Sequence, residues 1–333
     1  MYLFFWLFVF VASLIVLIKA ADYFTESSER IGIDLKIPPF IVGIAIVSIG
    51  TSLPELATSL IAVYKGETEI AVANAVGSNI ANILLVIGIA SIVARKMSIK
   101  RSLINLDLPL LAIATTISLF TLMDKIVTFS EGCLLILTYA VYTFYIISSK
   151  HERKVLNHIP DDKNVVHKKI EITSKFKKIW NFKPKVEIGV IFTLIVSAFF
   201  IYLGASYTIE SIVNIANELN IGTALIAMSA VAIGTSLPEL VVSVNAVRKK
   251  KYEIALGNVF GSNIFNILVV IGLPALVCDL KIDDVTFIYG IPFLIGATVL
   301  YVFSGISRKI YNWEGMMYLI LYTLFIIKIF GIV

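Results

Sequence analysis

The chain has 333 residues, of which 58% are hydrophobic and 15% charged, with a mean hydropathy of +0.92. Soluble globular proteins carry about 25% charged residues, so a water-soluble enzyme is excluded, and a length that suits two domains places both in a bilayer. The net charge of +5 would suit nucleic acid only if the basic residues shared one surface, and their scatter among loops shows that they do not.

A bilayer-spanning helix needs about 20 mostly apolar residues. On that rule spans are expected near 2–21, 38–63, 70–94, 103–123, 129–148, 187–205, 222–247, 253–277, 285–304 and 313–331. Continuous apolar runs predict helices rather than the alternating strands of a barrel. The expected fold is therefore an all-α polytopic membrane protein of ten transmembrane helices. The first run lacks the basic start and small-residue cleavage site of a secretory signal, and reads as a retained span.

Loops after the odd-numbered spans hold 24 Lys and Arg against 4 on the other side, or 13 against 4 without the long fifth loop. The positive-inside rule then puts both termini outside the cell membrane and the 149–186 loop in the cytoplasm. That loop carries His151, His158 and His167 at no metal-site spacing. Ile172, Phe176, Ile179 and Trp180 fall at helical spacing among lysines, which suits an interfacial helix or a plain linker. Cys133 and Cys278 sit at the edges of apolar runs with no CxxC spacing and are expected as buried small hydrophobes.

Self-similarity is the strongest signal in the chain. Residues 50–56 and 234–240 both read GTSLPEL, an offset of 184. At that offset GSNIANILLVIG (77–88) meets GSNIFNILVVIG (261–272), with ten of twelve positions identical. Ala21, Tyr23, Glu26 and Asn74 align with Ala205, Tyr207, Glu210 and Asn258, and Glu131-Gly132 pairs with Glu314-Gly315 one residue out of frame. The expected units are residues 1–148 and 187–333, joined by the 149–186 loop. Five spans per unit is an odd number, so the second unit runs upside down relative to the first, as in secondary transporters with midplane sites.

Within a spanning helix, Pro54 and Pro238 each remove a backbone donor and crowd the carbonyl four residues back. The freed carbonyls of Gly50 and Gly234 are tolerated only beside protein or a wet cavity, and carbonyls suit hard cations. Ser48, Thr51, Ser52, Glu55 and Ser59 form one polar stripe, matched by Ala232, Thr235, Ser236, Glu239 and Ser243. Asn74, Ser78 and Asn82 share a face of the next span, as do Asn258, Ser262 and Asn266. Every donor is oxygen-bearing, which favours Ca²⁺, Na⁺ or Mg²⁺ over soft transition metals. A carboxylate at the bilayer centre costs about 2.5–3.5 kcal/mol on insertion scales, and no mid-span Lys or Arg stands ready to pair with Glu55 or Glu239. Asn74, Asn79, Asn258 and Asn263 read as helix-to-helix braces. Thr51, Ser52, Thr235 and Ser236, beside the break and the acid, read as ligands. For Ser78, Asn82, Ser262 and Asn266 the residues alone decide neither way. Two carboxylates leave an empty site near −2, which one Ca²⁺, two protons, or two or three Na⁺ would offset. If only the loaded form changes its facing, these ions must alternate, and that is exchange.

These motifs resemble the Ca²⁺/cation antiporter superfamily, and within it the sodium/calcium exchanger branch of prokaryotic type; the likeness extends over essentially the whole chain. It implies that Glu55, Glu239 and the carbonyls of Thr51 and Thr235 bind calcium. It implies sodium sites drawing on Ser52, Ser78, Ser236, Ser262 and the carbonyls of Ser48 and Ala232, and a fixed eight-helix core across which spans 1 and 6 slide. The expected function is Na⁺/Ca²⁺ antiport by a monomer in the bilayer, without cofactor, enzymatic activity or nucleic-acid partner. Asn266 stands where potassium-dependent relatives carry Asp, and GTSLPE replaces the GNATE-like motif of proton-coupled relatives, so sodium is the expected counter-ion. The short 149–186 loop leaves no room for calcium-sensing domains. A Ca²⁺/H⁺ antiporter is the nearest alternative and a cation channel the next. An intramembrane hydrolase lacks a nucleophile–base–orienter set.

Overall fold

The computed structural model describes residues 2–34, 49–98, 108–156 and 187–331. In chain order its helices are α1 (Tyr2–Asp34), α2 (Leu53–Tyr64), α3 (Thr68–Ala94), α4 (Leu108–Thr121) and α5 (Phe129–Leu156). They continue as α6 (Ile188–Leu219), α7 (Thr223–Arg248), α8 (Tyr252–Phe265, continuing to Ala275), α9 (Thr286–Ile306) and α10 (Asn312–Ile329). Helices α1, α3, α6, α7, α8 and α9 are long and apolar enough to cross a membrane, so the chain is a mostly helical, polytopic membrane protein.

Two helices outrun their apolar windows. α1 has 33 residues and α6 has 32, against expected spans of 2–21 and 187–205. At 1.5 Å per residue each is about 50 Å long, more than a hydrocarbon core of about 30 Å, and a helix of that length accommodates by tilting. Helical hydrogen bonding simply runs on past Asp22 and Ser206, where hydropathy falls. α5 likewise continues to Leu156, into the segment assigned to the 149–186 loop. Ser48, His158, His167 and the Ile172–Trp180 stretch lie outside the described residues. The cysteines correct the sequence reading: Cys133 and Cys278 are both exposed. Cys133 sits on the outer face of α5, and Cys278 in the turn after α8.

Burial separates the helices into centre and periphery. In α3 and α8, 78% and 83% of the apolar window is buried, against 28% in α1 and 22% in α6. α1 and α6 lie antiparallel as a pair: the Ser13 and Thr208 hydroxyls are 2.9 Å apart, and a Cβ on Gly204 would stand 2.9 Å from Leu17. α1 crosses both break points of the centre, since Gly50 abuts Thr25 and Gly234 abuts Leu14.

Two short antiparallel ladders join the halves of the chain. β1 (Lys96–Ser98) pairs with β4 (Lys309–Tyr311), and β2 (Ile126–Val127) pairs with β3 (Leu280–Lys281). The 184-residue offset carries Met97↔Ile310 onto Lys281↔Ile126, and Lys96↔Tyr311 onto Leu280↔Val127. One ladder is therefore the other with the two halves exchanged, and α4 runs between them. The β2·β3 end also gathers Lys125 with Asp284 at 2.6 Å, and the Lys281 N–H donates to Thr68 Oγ1 there.

Helix packing repeats the exchange. Gly132 of α5 lies against Gly272 and Ala275 of α8, while Gly315 of α10 lies against Gly88 and Ser91 of α3. Glu131 and Glu314 cap these two helices, each accepting the backbone N–H three residues earlier, from Thr128 at 2.8 Å and Tyr311 at 2.7 Å. Those acids are structural N-terminal caps. A Cβ at Gly315 would collide with Ser91 Oγ and the Gly88 carbonyl, whereas one at Gly296 meets nothing. Overpacking of this kind costs about 1–3 kcal/mol. Gly315→Ala is therefore expected to lower the thermal unfolding midpoint in detergent, and Gly296→Ala to leave it unchanged.

Candidate ion-binding site

The site begins with two interrupted helices. Ser52 (φ −96°, ψ 12°) and Ser236 (φ −82°, ψ 3°) leave the helical well, and a new helical run starts at Leu53 and Leu237. Pro54 and Pro238 fall in the first turn of each new run, where a missing N–H costs nothing. Glu55 and Glu239 follow immediately, in a turn whose unpaired amides and dipole favour an anion. The break and the acid are thus one local unit, built twice.

Both carboxyl groups are fully buried. They approach closely enough for their charges to interact. Ser52 Oγ, at the break before α2, donates to Glu239 Oε1 at 3.1 Å, and Ser262 Oγ, from α8, donates to the same oxygen at 3.0 Å. Across the offset, Thr235 and Ser236 of α7 face the Glu55 carboxyl. Both Glu55 oxygens, Glu239 Oε2 and Ser236 Oγ are buried without a well-formed hydrogen bond among the described residues.

Further hydroxyls complete the ring. Thr51 lies 3.3 Å from Ser262, and Ser78 lies 3.4 Å from Thr235, contacts that the repeat offset exchanges. Thr235 also donates to the Val231 carbonyl at 3.0 Å, and the Ala232 carbonyl accepts the Ser236 N–H at 3.2 Å. Ala232 is fully buried; a carbonyl with one such bond keeps a second lone pair. The structure thus brings together Thr51, Ser52, Glu55, Ser78, Thr235, Ser236, Glu239 and Ser262, with Ala232 one turn before the second break.

Asn82 and Asn266 are fully buried, with both amide atoms unpartnered among the described residues. They stand at the start of π-helical turns, Ala81–Val86 in α3 and Asn266–Val270 in α8. Such turns concentrate at functional positions. The other asparagines are braces. Asn74 Nδ2 donates to the Glu55 carbonyl at 3.2 Å and Asn258 Nδ2 to the Glu239 carbonyl at 3.4 Å. Asn79 Nδ2 reaches the Asn263 carbonyl at 3.0 Å and ties α3 to α8. Thr58 was missed in the sequence: its hydroxyl donates to the Pro54 and Glu55 carbonyls at 2.8 and 2.9 Å. Val242 occupies the matching place in the second half, so the repeat gave no signal.

A pair of buried carboxyls with three of its four oxygens unpartnered among the described residues is costly unless a positive charge offsets it. No cluster of three or more His, Cys, Asp or Glu exists among the described residues, so the donors are two carboxyls plus neutral oxygens. Carboxylates, hydroxyls and carbonyls at close quarters are the ligands of hard, oxygen-seeking cations.

Comparison with known proteins agrees with this chemistry. A family model described as sodium/calcium exchanger protein matches residues 5–148 and 189–331. The chain is 32% identical to sodium/calcium exchanger MaX1 of Methanosarcina acetivorans, over 96% of this chain and 97% of the relative. It is 34% identical to the putative antiporter CaxA of Alkalimonas amylolytica, over 81% and 80%. Among solved structures, the sodium-calcium exchanger NCX_Mj soaked with Na⁺ and Sr²⁺ aligns with a TM-score of 0.62 at 26% identity, covering 97% of this chain and 98% of that one. This chain belongs to the sodium/calcium exchanger family.

Proposed function

We propose that the protein is a secondary antiporter that exchanges Ca²⁺ for Na⁺, with ions bound near the midplane between two inverted five-helix repeats. The observation that carries this is the meeting of two fully buried carboxyls, one from each half of the chain, across the Ser52–Glu239 contact. Glu55 and Glu239 hold Ca²⁺ with the carbonyls of Thr51 and Thr235. Ser52, Ser78, Ser236, Ser262, Asn82, Asn266 and the carbonyls of Ser48 and Ala232 serve Na⁺. The neutral oxygens favour sodium over protons as the counter-ion, because two protons on the carboxyls would need no ring of hydroxyls and amides around them.

The inverted arrangement is supported by the exchanged ladders and by the reciprocal glycine contacts. Ten crossings put the residue 1–148 and 187–333 units on either side of the 149–186 loop, that loop in the cytoplasm and both termini outside. Coupling follows from charge. A dehydrated site near −2 resists crossing, so only the ion-loaded protein changes its facing, and Ca²⁺ and Na⁺ compete for shared oxygens. The unit is a single chain, and no bond in a substrate is made or broken.

In proteoliposomes, an outward-directed Na⁺ gradient is expected to drive ⁴⁵Ca²⁺ uptake, while a pH or K⁺ gradient alone is not. Uptake driven by pH would make it a Ca²⁺/H⁺ antiporter, and voltage-driven current without a counter-ion would make it a channel. Loss of a supporting group around a metal costs about 10–100-fold. Glu55→Gln and Glu239→Gln, which remove a direct ligand, are expected to lower exchange at least that much, measured as initial ⁴⁵Ca²⁺ flux at matched protein density.

A further inference from the structure

Lys65 ends α2, the helix that carries Glu55, and reaches across to α6. Its Nζ donates to the Ser206 carbonyl at 2.8 Å and lies 3.6 Å from Glu210 Oε2. The 184-residue offset carries Lys65 to Lys249, Ser206 to Asp22 and Glu210 to Glu26. Lys249 ends the second run of α7 with nearly the same backbone, φ −85° and ψ 8° against −84° and 0° at Lys65. Both lysines precede a residue with positive φ, Gly66 at 84° and Lys250 at 57°. The second arm is built like the first, yet among the described residues Lys249 forms no ion pair. Its counterparts on α1 are engaged within their own helix instead, Glu26 with Arg30 at 2.9 Å and Asp22 with Lys19 at 3.8 Å.

We propose that Lys65 and Lys249 are alternate latches. Lys65 holds α6 in one facing of the transporter, and Lys249 holds α1 through the Asp22 carbonyl and Glu26 in the other. This rests on the alternating-access reading above. The two latches are unequal by sequence. Positions 19 and 30 carry Lys and Arg, but their equivalents on α6 are Leu203 and Asn214, so Glu210 has no cation of its own at those places. Glu26 must release Arg30 before Lys249 can engage, which favours the Lys65-latched facing. Lys65 is a positioning residue: it touches no ion and acts through the helix that bears Glu55.

The test reads helix position directly. In a background with Cys133→Ser and Cys278→Ser, spin labels at Tyr64→Cys with Tyr207→Cys report the α2–α6 gap. Labels at Arg248→Cys with Tyr23→Cys report the α7–α1 gap. An exposed ion pair is worth about 0.2–1 kcal/mol, so Lys65→Gln is expected to lower the short α2–α6 population roughly one-and-a-half- to fivefold and to raise the short α7–α1 population. Lys249→Gln moves both the other way, and Lys65→Arg, which keeps a cationic donor for the Ser206 carbonyl and Glu210, keeps the wild-type distribution. Unchanged populations, shifts in the same direction for both lysines, or a Lys65→Arg variant shifted as far as Lys65→Gln would overturn the latch. ⁴⁵Ca²⁺ flux on the unlabelled protein judges the antiport reading separately: label shifts without flux keep the latch and sink that reading, and flux without label shifts does the reverse.

Discussion

The structure turns on the cost of keeping two carboxyl groups dry and close together. Glu55 and Glu239 are fully buried, and among the described residues no lysine or arginine accompanies them. Hydroxyls offset part of that cost at Glu239, where Ser52 and Ser262 both donate to one oxygen. At Glu55 they do not. A protein that only needed to fold would replace such a pair with apolar side chains at little loss or even a gain. The surrounding features follow from the same constraint: a helix interrupted beside each acid, asparagines fixing the Glu55 and Glu239 carbonyls, and small residues letting α3 approach α7, where a Cβ on Gly77 would press on the Met228 carbonyl.

Much of this was legible in the chain, because a duplicated motif states the same constraint twice. GTSLPEL located both helix breaks and both acids, and the 77–88 and 261–272 segments located the two most buried helices. What hydropathy did not show has physical causes. The ends of α1 and α6 are helical but polar, and a window for apolar residues stops before the helix does. The crossed contacts from Ser52 to Glu239 and from Ser78 to Thr235 depend on how the halves face one another, which no local pattern encodes. Cys133 misled because an apolar helix in a membrane has an outer face, and a small hydrophobe is as content against lipid as in a core.

Symmetry in the sequence and asymmetry in the structure carry different information. The ladders and the glycine contacts obey the 184-residue exchange closely, and they belong to the central helices. Departures occur where the centre meets α1 and α6: among the described residues Lys65 is engaged and Lys249 is not, and Gly50 meets Thr25 while Gly234 meets Leu14. Under the alternating access proposed above, that unequal rim is where the two facings differ, since packed cores switch between discrete arrangements rather than deform.

The exchanged glycine contacts also govern how the chain is made. Gly88 and Ser91 of α3 are sealed by Gly315 of α10, more than 220 residues later in synthesis. Until α10 emerges, the face of α3 that holds the serine and glycine notch has only lipid or an insertase against it. Assembly of the first half is therefore a late, non-local event, and a ribosome stalled before α10 would leave a nascent protein in which both carboxyl-bearing motifs are already made while the notch on α3 is still uncovered.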